Sequence, residues 1–145
     1  MSEAVTSGCF SIDLPDSDAA IALAGAGQKT LHRLESLSGA SLVLRGLKLE
    51  ITGLSSQMEK AAALVELIRP IWQEGQFVSP VDLQAALTSL DTGRKADHVS
   101  LGDHVLARSQ RGTLLRPRTL RQKAYVEAME DYDLTFALGP AGTGK

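Results

Sequence analysis

The chain has 145 residues, of which 43% are hydrophobic and 22% charged, and its formal net charge is -2. This composition is typical of a globular protein with one ordinary core, and it argues against a uniformly basic nucleic-acid-binding chain or a disordered acidic one. The single cysteine, Cys9, excludes an intrachain disulfide. The sequence has no secretory signal, and no apolar run approaches the roughly 20 residues of a membrane span. We therefore expect a cytoplasmic location and no membrane partner.

The N-terminal part predicts short strands and helices in alternation. Residues 1–8 are small and polar, and we expect them to be disordered. Alternating apolar and polar residues at 10–14 predict a strand, and two short helices separated by the glycine-containing loop 25–28 follow it. Alternation resumes on both sides of Gly46, which predicts a tight hairpin or two adjacent short strands.

Two more helices are predicted before residue 91. In the first, an apolar residue recurs every three to four positions from Ala61 to Trp72, and Pro70 should bend or end this helix because proline lacks an N–H donor. The second should begin with Ser79 as the N-cap and Pro80 at the first helical position.

The remaining residues predict a connector and the start of a second domain. Residues 91–104 are polar, contain two glycines and show no clear period, which indicates a linker. A small hairpin around Arg111, a helix from about Thr119 to Asp131 and a short buried strand at 134–138 should follow. The predicted organisation is a disordered N-terminus (1–8), a first domain (9–90), a linker (91–104), a basic hairpin or connector (105–118) and the start of a second domain (119–145).

The last seven residues match most of a phosphate-binding P-loop, which has the pattern G-x-x-x-x-G-K-[ST] after a strand. Glycines allow several backbone N–H groups to point at one phosphate, and the lysine ammonium would lie near the β- and γ-phosphates. The hydroxyl that holds Mg²⁺ and the acidic groups needed for hydrolysis would follow Lys145, so we expect no catalytic residue, no metal ligand and no ATP hydrolysis within these 145 residues. Residues 134–145 should also be poorly ordered here, because a lone parallel strand has no neighbour to pair with. The predicted ligands of the ATP phosphates are Gly139, Pro140, Ala141, Gly142, Thr143, Gly144 and Lys145.

Gln122 is a candidate adenine ligand. It precedes Gly139 by 17 residues on the predicted helix, and this stretch resembles superfamily 1 helicases, with a Gln-Lys pair, a short helix, a strand and then the P-loop. In that arrangement the glutamine amide reads the adenine edge. The alternative is an ordinary exposed glutamine on a helix.

The first domain resembles a type I KH domain, whose order is β-α-α-β-β-α. Its segment 25–42 resembles the KH signature at Gly25, Leu31, Leu34, Glu35, Gly39 and Ala40. Gln28 stands where the loop that clamps the nucleic-acid backbone has its second glycine, which argues against phosphate contact through this loop. The predicted fold class is therefore α+β, a KH-like domain with an extra helix, followed by the first helix and strand of a truncated P-loop α/β ATPase domain. Such a scaffold can bind RNA or serve only for packing.

Together, the two parts resemble the PhoH-like ATPase family, named for phosphate-starvation induction, and residues 116–145 are the most specific part of the resemblance. It implies a KH-like domain joined to a helicase-like P-loop ATPase domain. It also implies ATP as cofactor, Mg²⁺ in the complete protein, action on single-stranded RNA and a cytoplasmic location.

A basic segment between His104 and Val126 carries six basic residues and no acidic one. Arginine forks suit phosphate oxygens, so this segment predicts a nucleic-acid track, and the alternative is a solvated flexible connector. The complete protein is then expected to be an RNA-directed ATPase. The alternatives are a protein–protein interaction or assembly module with a nucleotide-binding switch and, less favoured, a small-metabolite kinase; a homo-oligomer is compatible with each. The RNA candidates are Arg108, Arg111, Arg116 and Arg118.

Overall fold

The computed structural model describes residues 7–141, and it has a mixed α/β architecture. The first part contains β1 (Ser7–Asp13), α1 (Ser17–Ala24), a 3-10 turn (Ala26–Gln28), α2 (Lys29–Ser38), β2 (Ser41–Arg45), β3 (Lys48–Leu54) and α3 (Ser55–Leu67). Then follow α4 (Arg69–Trp72), α5 (Pro80–Asp91), α6 (Lys95–Val99), a second 3-10 turn (Ser100–Asp103), β4 (Ala107–Arg108), β5 (Leu114–Leu115) and α7 (Leu120–Asp131). The order of the elements from β1 to α3 is the order that the sequence predicts.

The three long strands form one antiparallel sheet in the order β1-β3-β2. Directly paired residues point to the same side of a sheet, so the register sets two apolar rows against the helices. These rows are Phe10–Ile51–Leu42 and Ile12–Leu49–Leu44.

The prediction of a disordered segment 1–8 is wrong for residues 7 and 8, because β3 is long enough to pair with them through Leu54 and Gly53. Residues 1–6 lie outside the described part of the chain.

Helices α1, α2 and α3 build the core with the sheet. Their buried apolar residues include Leu23, Leu31, Leu34, Leu64 and Val65, all at most 1% exposed. α3 ends at Leu67 and the chain restarts as α4 with Pro70 in its first turn, as predicted. Trp72 is fully buried, and its indole Nε1–H donates to the carbonyl oxygen of Val65 at 3.0 Å. The short α4 is therefore tied to the end of α3 across the break.

Local capping defines several helix ends. Asp16 Oδ1 accepts from the N–H of Ala19 at 2.8 Å at the start of α1, and Gly39 ends α2 in the left-handed conformation with φ 79°. Ser79 is the N-cap of α5 with Pro80 following, as predicted, and Asp82 completes a capping box by accepting from the N–H of Ser79 at 2.8 Å.

The prediction of an irregular linker at 91–104 is wrong for residues 95–103, which form α6 and the second 3-10 turn. This segment packs on the first domain through two buried side chains, His98 at 6% and Leu101 at 5% exposure. Arg94 and Asp97 form an ion pair at 2.9 Å in the first turn of α6. Because elements this short each bury only one or two residues, their apolar residues do not recur in a pattern that the sequence reveals.

The predicted hairpin in the connector is confirmed. Ala107 pairs with Leu115 and Arg108 with Leu114, and Gly112 lies in the turn with φ 84°. The N–H of Leu106 donates to the carbonyl oxygen of Leu115 at 2.8 Å, which extends the pairing by one position. Among residues 7–141, no helix has the length and apolar character that crossing a bilayer requires.

Candidate functional site

The segment after α7 leads to residues 139–141 without forming a strand. The N–H of Tyr132 donates to the carbonyl oxygen of Ala128 and ends the helix, and residues 134–140 then have no regular secondary structure. Leu134, Phe136 and Leu138 are 71%, 76% and 93% exposed. The prediction of a short buried strand at 134–138 is wrong for this chain, because a strand needs neighbours that supply backbone hydrogen bonds and cover its side chains.

The predicted phosphate ligands fall at the edge of the described region. Gly139, Pro140 and Ala141 are exposed, and they directly follow the extended apolar residues. Gly142, Thr143, Gly144 and Lys145 lie outside the described residues. The binding of ATP phosphates by this loop therefore stays a prediction.

Gln122, the candidate adenine ligand, lies in the first turn of α7 and is exposed. Its Oε1 accepts from the N–H of Arg118 at 2.7 Å, and its own N–H donates to Oγ1 of the N-cap Thr119 at 3.1 Å. The side chain thus helps to hold the start of α7, and its amide nitrogen makes no hydrogen bond to the described residues 7–141, which suits a donor role in base recognition. Adenine recognition by Gln122 stays a prediction.

The four arginines predicted to contact RNA fall into two pairs. Arg108 and Arg111 are exposed on the hairpin, and Arg108 Nη1 donates to the carbonyl oxygen of Gly112 at 3.3 Å. Arg116 and Arg118 instead contact the first domain. Arg116 forms an ion pair with Glu74 and donates from Nη1 to the carbonyl oxygen of Pro70 at 3.4 Å.

Arg118 is engaged in the same way, with Nη1 3.6 Å from Asp82 Oδ2 and 3.3 Å from Ser79 Oγ. Guanidinium groups that already face carboxylates neutralise fewer phosphates, so the structure gives Arg116 and Arg118 a docking role within the chain. The sequence reasoning missed these pairings because the partners are far apart along the chain.

His98 is a buried polar residue that the sequence reasoning did not single out. Its Nδ1 lies 3.0 Å from the hydroxyl of Ser89 on α5. Burial lowers the pKa of His98 below its ordinary value of 6.5, and the negative charge of Asp82 offsets part of this effect. A neutral imidazole that hydrogen-bonds to a hydroxyl suits a structural contact between α5 and α6.

The loop between α1 and α2 has an unusual backbone. Gly25 has φ 74° and ψ 173°, a region that is essentially restricted to glycine, and Gly27 has φ 60°. Gln28 also has φ 60°, and it is the one non-glycine residue with positive φ between residues 7 and 141. Gln28, which stands at the position of the second glycine in the KH signature, is therefore held in the left-handed region of the backbone.

A groove runs beside this loop, between α1 and the turn that joins β2 to β3. Its lining includes Ser17 and Ile21 from α1, Leu44 from β2 and Leu47 from the β2–β3 turn, with no charged side chain among the lining residues. Nearby cations are paired, because Arg45 lies 3.4 Å from Glu50 and Lys48 lies 3.8 Å from Asp13. This groove suits an apolar ligand surface better than a phosphate backbone.

The described residues hold no group of three or more His, Cys, Asp or Glu side chains that could bind a metal.

Comparison with known proteins identifies the family. The family model described as PhoH-like protein matches residues 114–145, which include the hairpin strand β5, α7 and the P-loop residues. A PhoH-like protein from Synechocystis sp. is 40% identical over 134 residues, which cover 92% of this chain. The chain belongs to the PhoH-like family.

Other PhoH-like proteins match over the same extent. The PhoH-like protein of Mycobacterium tuberculosis is 33% identical over 136 residues, 93% of this chain and 38% of that protein. The PhoH-like protein of Bacillus subtilis is 26% identical over 132 residues, 91% of this chain and 41% of that protein. The chain therefore spans about two fifths of the length of the PhoH-like relatives it matches, including the Synechocystis protein at 41%. No solved structure matches the chain significantly.

Proposed function

We propose that the complete protein is a PhoH-like ATPase that acts on RNA in the cytoplasm, with ATP bound at the loop 139–145. The observation that carries the proposal is that the family match covers 114–145 and so includes every residue of that loop. A loop of this composition supplies backbone N–H groups and one ammonium to a phosphate chain, which is the chemistry that a nucleoside triphosphate requires.

The exposed segment before the loop supports this proposal. Leu134, Phe136 and Leu138 present large apolar side chains to solvent, with exposures from 71% to 93%. In P-loop proteins the strand before the loop lies inside a parallel sheet that is covered on both faces, which is what such a run of residues needs. Residues 134–138 would then become a strand when sheet neighbours are present.

The first domain supports the RNA part of the proposal. Its β-α-α-β-β-α order and its antiparallel β1-β3-β2 sheet agree with a type I KH-like domain, a fold used for single-stranded RNA. The loop that begins at Gly25 corresponds in the KH signature to the loop that clamps the nucleic-acid backbone.

A second function is favoured by the lining of that groove. Ile21, Leu44 and Leu47 are apolar, and no lining residue is charged. A protein segment with apolar side chains would fit this surface. In this alternative the first domain is an assembly module and ATP acts as a switch.

The test is equilibrium binding of a fluorescent ATP analogue with Mg²⁺ to the complete protein and to its Lys145→Ala variant, followed by ATP hydrolysis with and without single-stranded RNA. We expect the parent to bind the analogue, Lys145→Ala to weaken binding by at least about tenfold through the loss of one charge-assisted contact, and RNA to stimulate hydrolysis. Equal binding by the parent and the variant would refute the ATP site. Hydrolysis that is indifferent to RNA would favour the assembly module.

A further inference from the structure

The exposed face of α2 carries a polar row that includes two cations, Lys29 and Arg33. Lys29, His32, Arg33 and Ser36 follow the spacing of one helix face, and all four are exposed. Within residues 7–141, neither Lys29 nor Arg33 has a carboxylate within ion-pair distance. Their charges are therefore available to an external anion.

This row forms one wall of a groove between α2 and the segment that leads into α5. The opposite wall and the floor include Phe77, Val78, Pro80 and Leu83, and none of the lining residues is acidic. Phe77 is 59% exposed, so one face of an aromatic ring is open to a ligand. This groove and the uncharged one that α1 forms with the β2–β3 turn share Gly25 in their linings.

We propose that this groove binds single-stranded RNA, with Lys29 and Arg33 on the phosphates and Phe77 stacked on a base. A single strand carries phosphates along one edge and bases along the other, which matches a cationic wall facing an exposed ring. The proposal rests on the RNA part of the proposed function. It moves the main contact from the connector arginines, two of which are paired with carboxylates, to α2.

The experiment measures binding of a fluorescently labelled single-stranded RNA to the 145-residue chain by anisotropy at several salt concentrations. Loss of two phosphate contacts in Lys29→Gln/Arg33→Gln should lower the log–log salt slope by about 1.4, at about 0.7 per phosphate on a single strand. Phe77→Leu keeps an apolar side chain but removes the ring, so the Kd should rise by roughly tenfold with little change in slope. In RNA that contains 2-aminopurine, Phe77→Leu should also lose the stacking-dependent quenching.

The matched control is Lys60→Gln/Lys95→Gln, which removes two positive charges from solvent-accessible positions outside the groove lining and outside the basic segment between His104 and Val126. It should keep the parental slope to within a few tenths. The fluorescence of Trp72, which is buried and is the single tryptophan, verifies that each variant is folded.

The outcomes separate the two proposals. If the parent chain does not bind RNA at low salt, the RNA part of the proposed function fails and this inference fails with it. If the parent binds but both double variants lower the slope equally and Phe77→Leu has no effect, the RNA function stands and the groove assignment is overturned. Equal competition by an acidic peptide would replace RNA by an acidic protein partner, and equal binding of DNA of the same sequence would overturn the choice of RNA.

Discussion

Arg118 Nη1 lies 3.6 Å from Oδ2 of Asp82, an ion pair that joins the connector to the start of α5. The Asp82 side chain is 1% exposed and the Arg118 side chain 50% exposed, so a buried carboxylate relies on a cation that reaches in from the surface. The same oxygen accepts from the hydroxyl of Ser79 at 2.7 Å, and Oδ1 has no hydrogen-bond partner among the described residues. Docking of the connector therefore compensates a charge that the first domain buries.

Removing both docking arginines should loosen the connector. Arg116→Gln/Arg118→Gln is expected to lower the free energy of unfolding by about 1–2 kcal/mol. The loss is modest because solvent screens both ion pairs in part, through Arg118 in one pair and Glu74 in the other. Hydrogen exchange at the amide of Leu106, which bonds Leu115 across the hairpin, should accelerate.

The control for this prediction is Arg108→Gln/Arg111→Gln. It removes the same charge from the hairpin, where neither side chain has a carboxylate partner within the described part of the chain. Equal acceleration of exchange in both double variants would show that the ion pairs do not hold the connector.

His98 should make stability depend on pH. Burial lowers its pKa below 6.5, so between the folded-state pKa and 6.5 the unfolded chain binds more protons than the folded chain. The contribution of His98 to the free energy of unfolding is therefore fully present above pH 6.5. It is lost as the pH falls from 6.5 to the folded-state pKa, by no more than about 1.4 kcal/mol per pH unit. Urea unfolding at about pH 7.5 and about pH 5.5 measures the loss, and His98→Asn should reduce it. His32→Asn, at an exposed position, should leave it unchanged.

The first glycine of the α1–α2 loop should be irreplaceable. A Cβ on Gly25 would lie 2.4 Å from Oγ1 of Thr30, in a backbone region that is unfavourable for other residues. Gly25→Ala is expected to lower the unfolding free energy by about 2–4 kcal/mol. A Cβ on Gly27 would meet open space, so Gly27→Ala should lower the unfolding free energy by only about 1 kcal/mol, because of the positive φ alone. Similar losses in the two variants, measured by Trp72 fluorescence in urea, would refute the steric contribution.

Gln28→Gly should stabilise the protein. Gln28 holds φ 60° and ψ 23°, and relief of this conformation, less the extra backbone entropy of glycine, should contribute about 0.5–1 kcal/mol. Gln84→Gly is the matched control, because Gln84 is exposed within α5 and the same change there should cost about 1 kcal/mol. Destabilisation by Gln28→Gly would mean that the glutamine side chain makes a stabilising contact.

Local chemistry made much of the first domain predictable. The alternation around Gly46 predicted β2 and β3, the Ser79 and Pro80 pair predicted the start of α5, and Pro70 predicted the break before α4. Each signal depends on residues a few positions apart, so it is readable in sequence. Asp82 could have been found in the same way, because it stands three residues after Ser79 in a capping box.

The sequence by itself thus determined the order of elements from β1 to α3, the connector hairpin and the C-terminal pattern that led to the PhoH-like family. Tertiary structure alone decided that α6 forms in the expected linker and that Arg116 and Arg118 face carboxylates. The physical reason is distance along the chain. Helix caps and strand alternation arise within one or two turns of backbone, whereas burial of His98 and the pairing of Arg118 with Asp82 require segments that only the fold brings together.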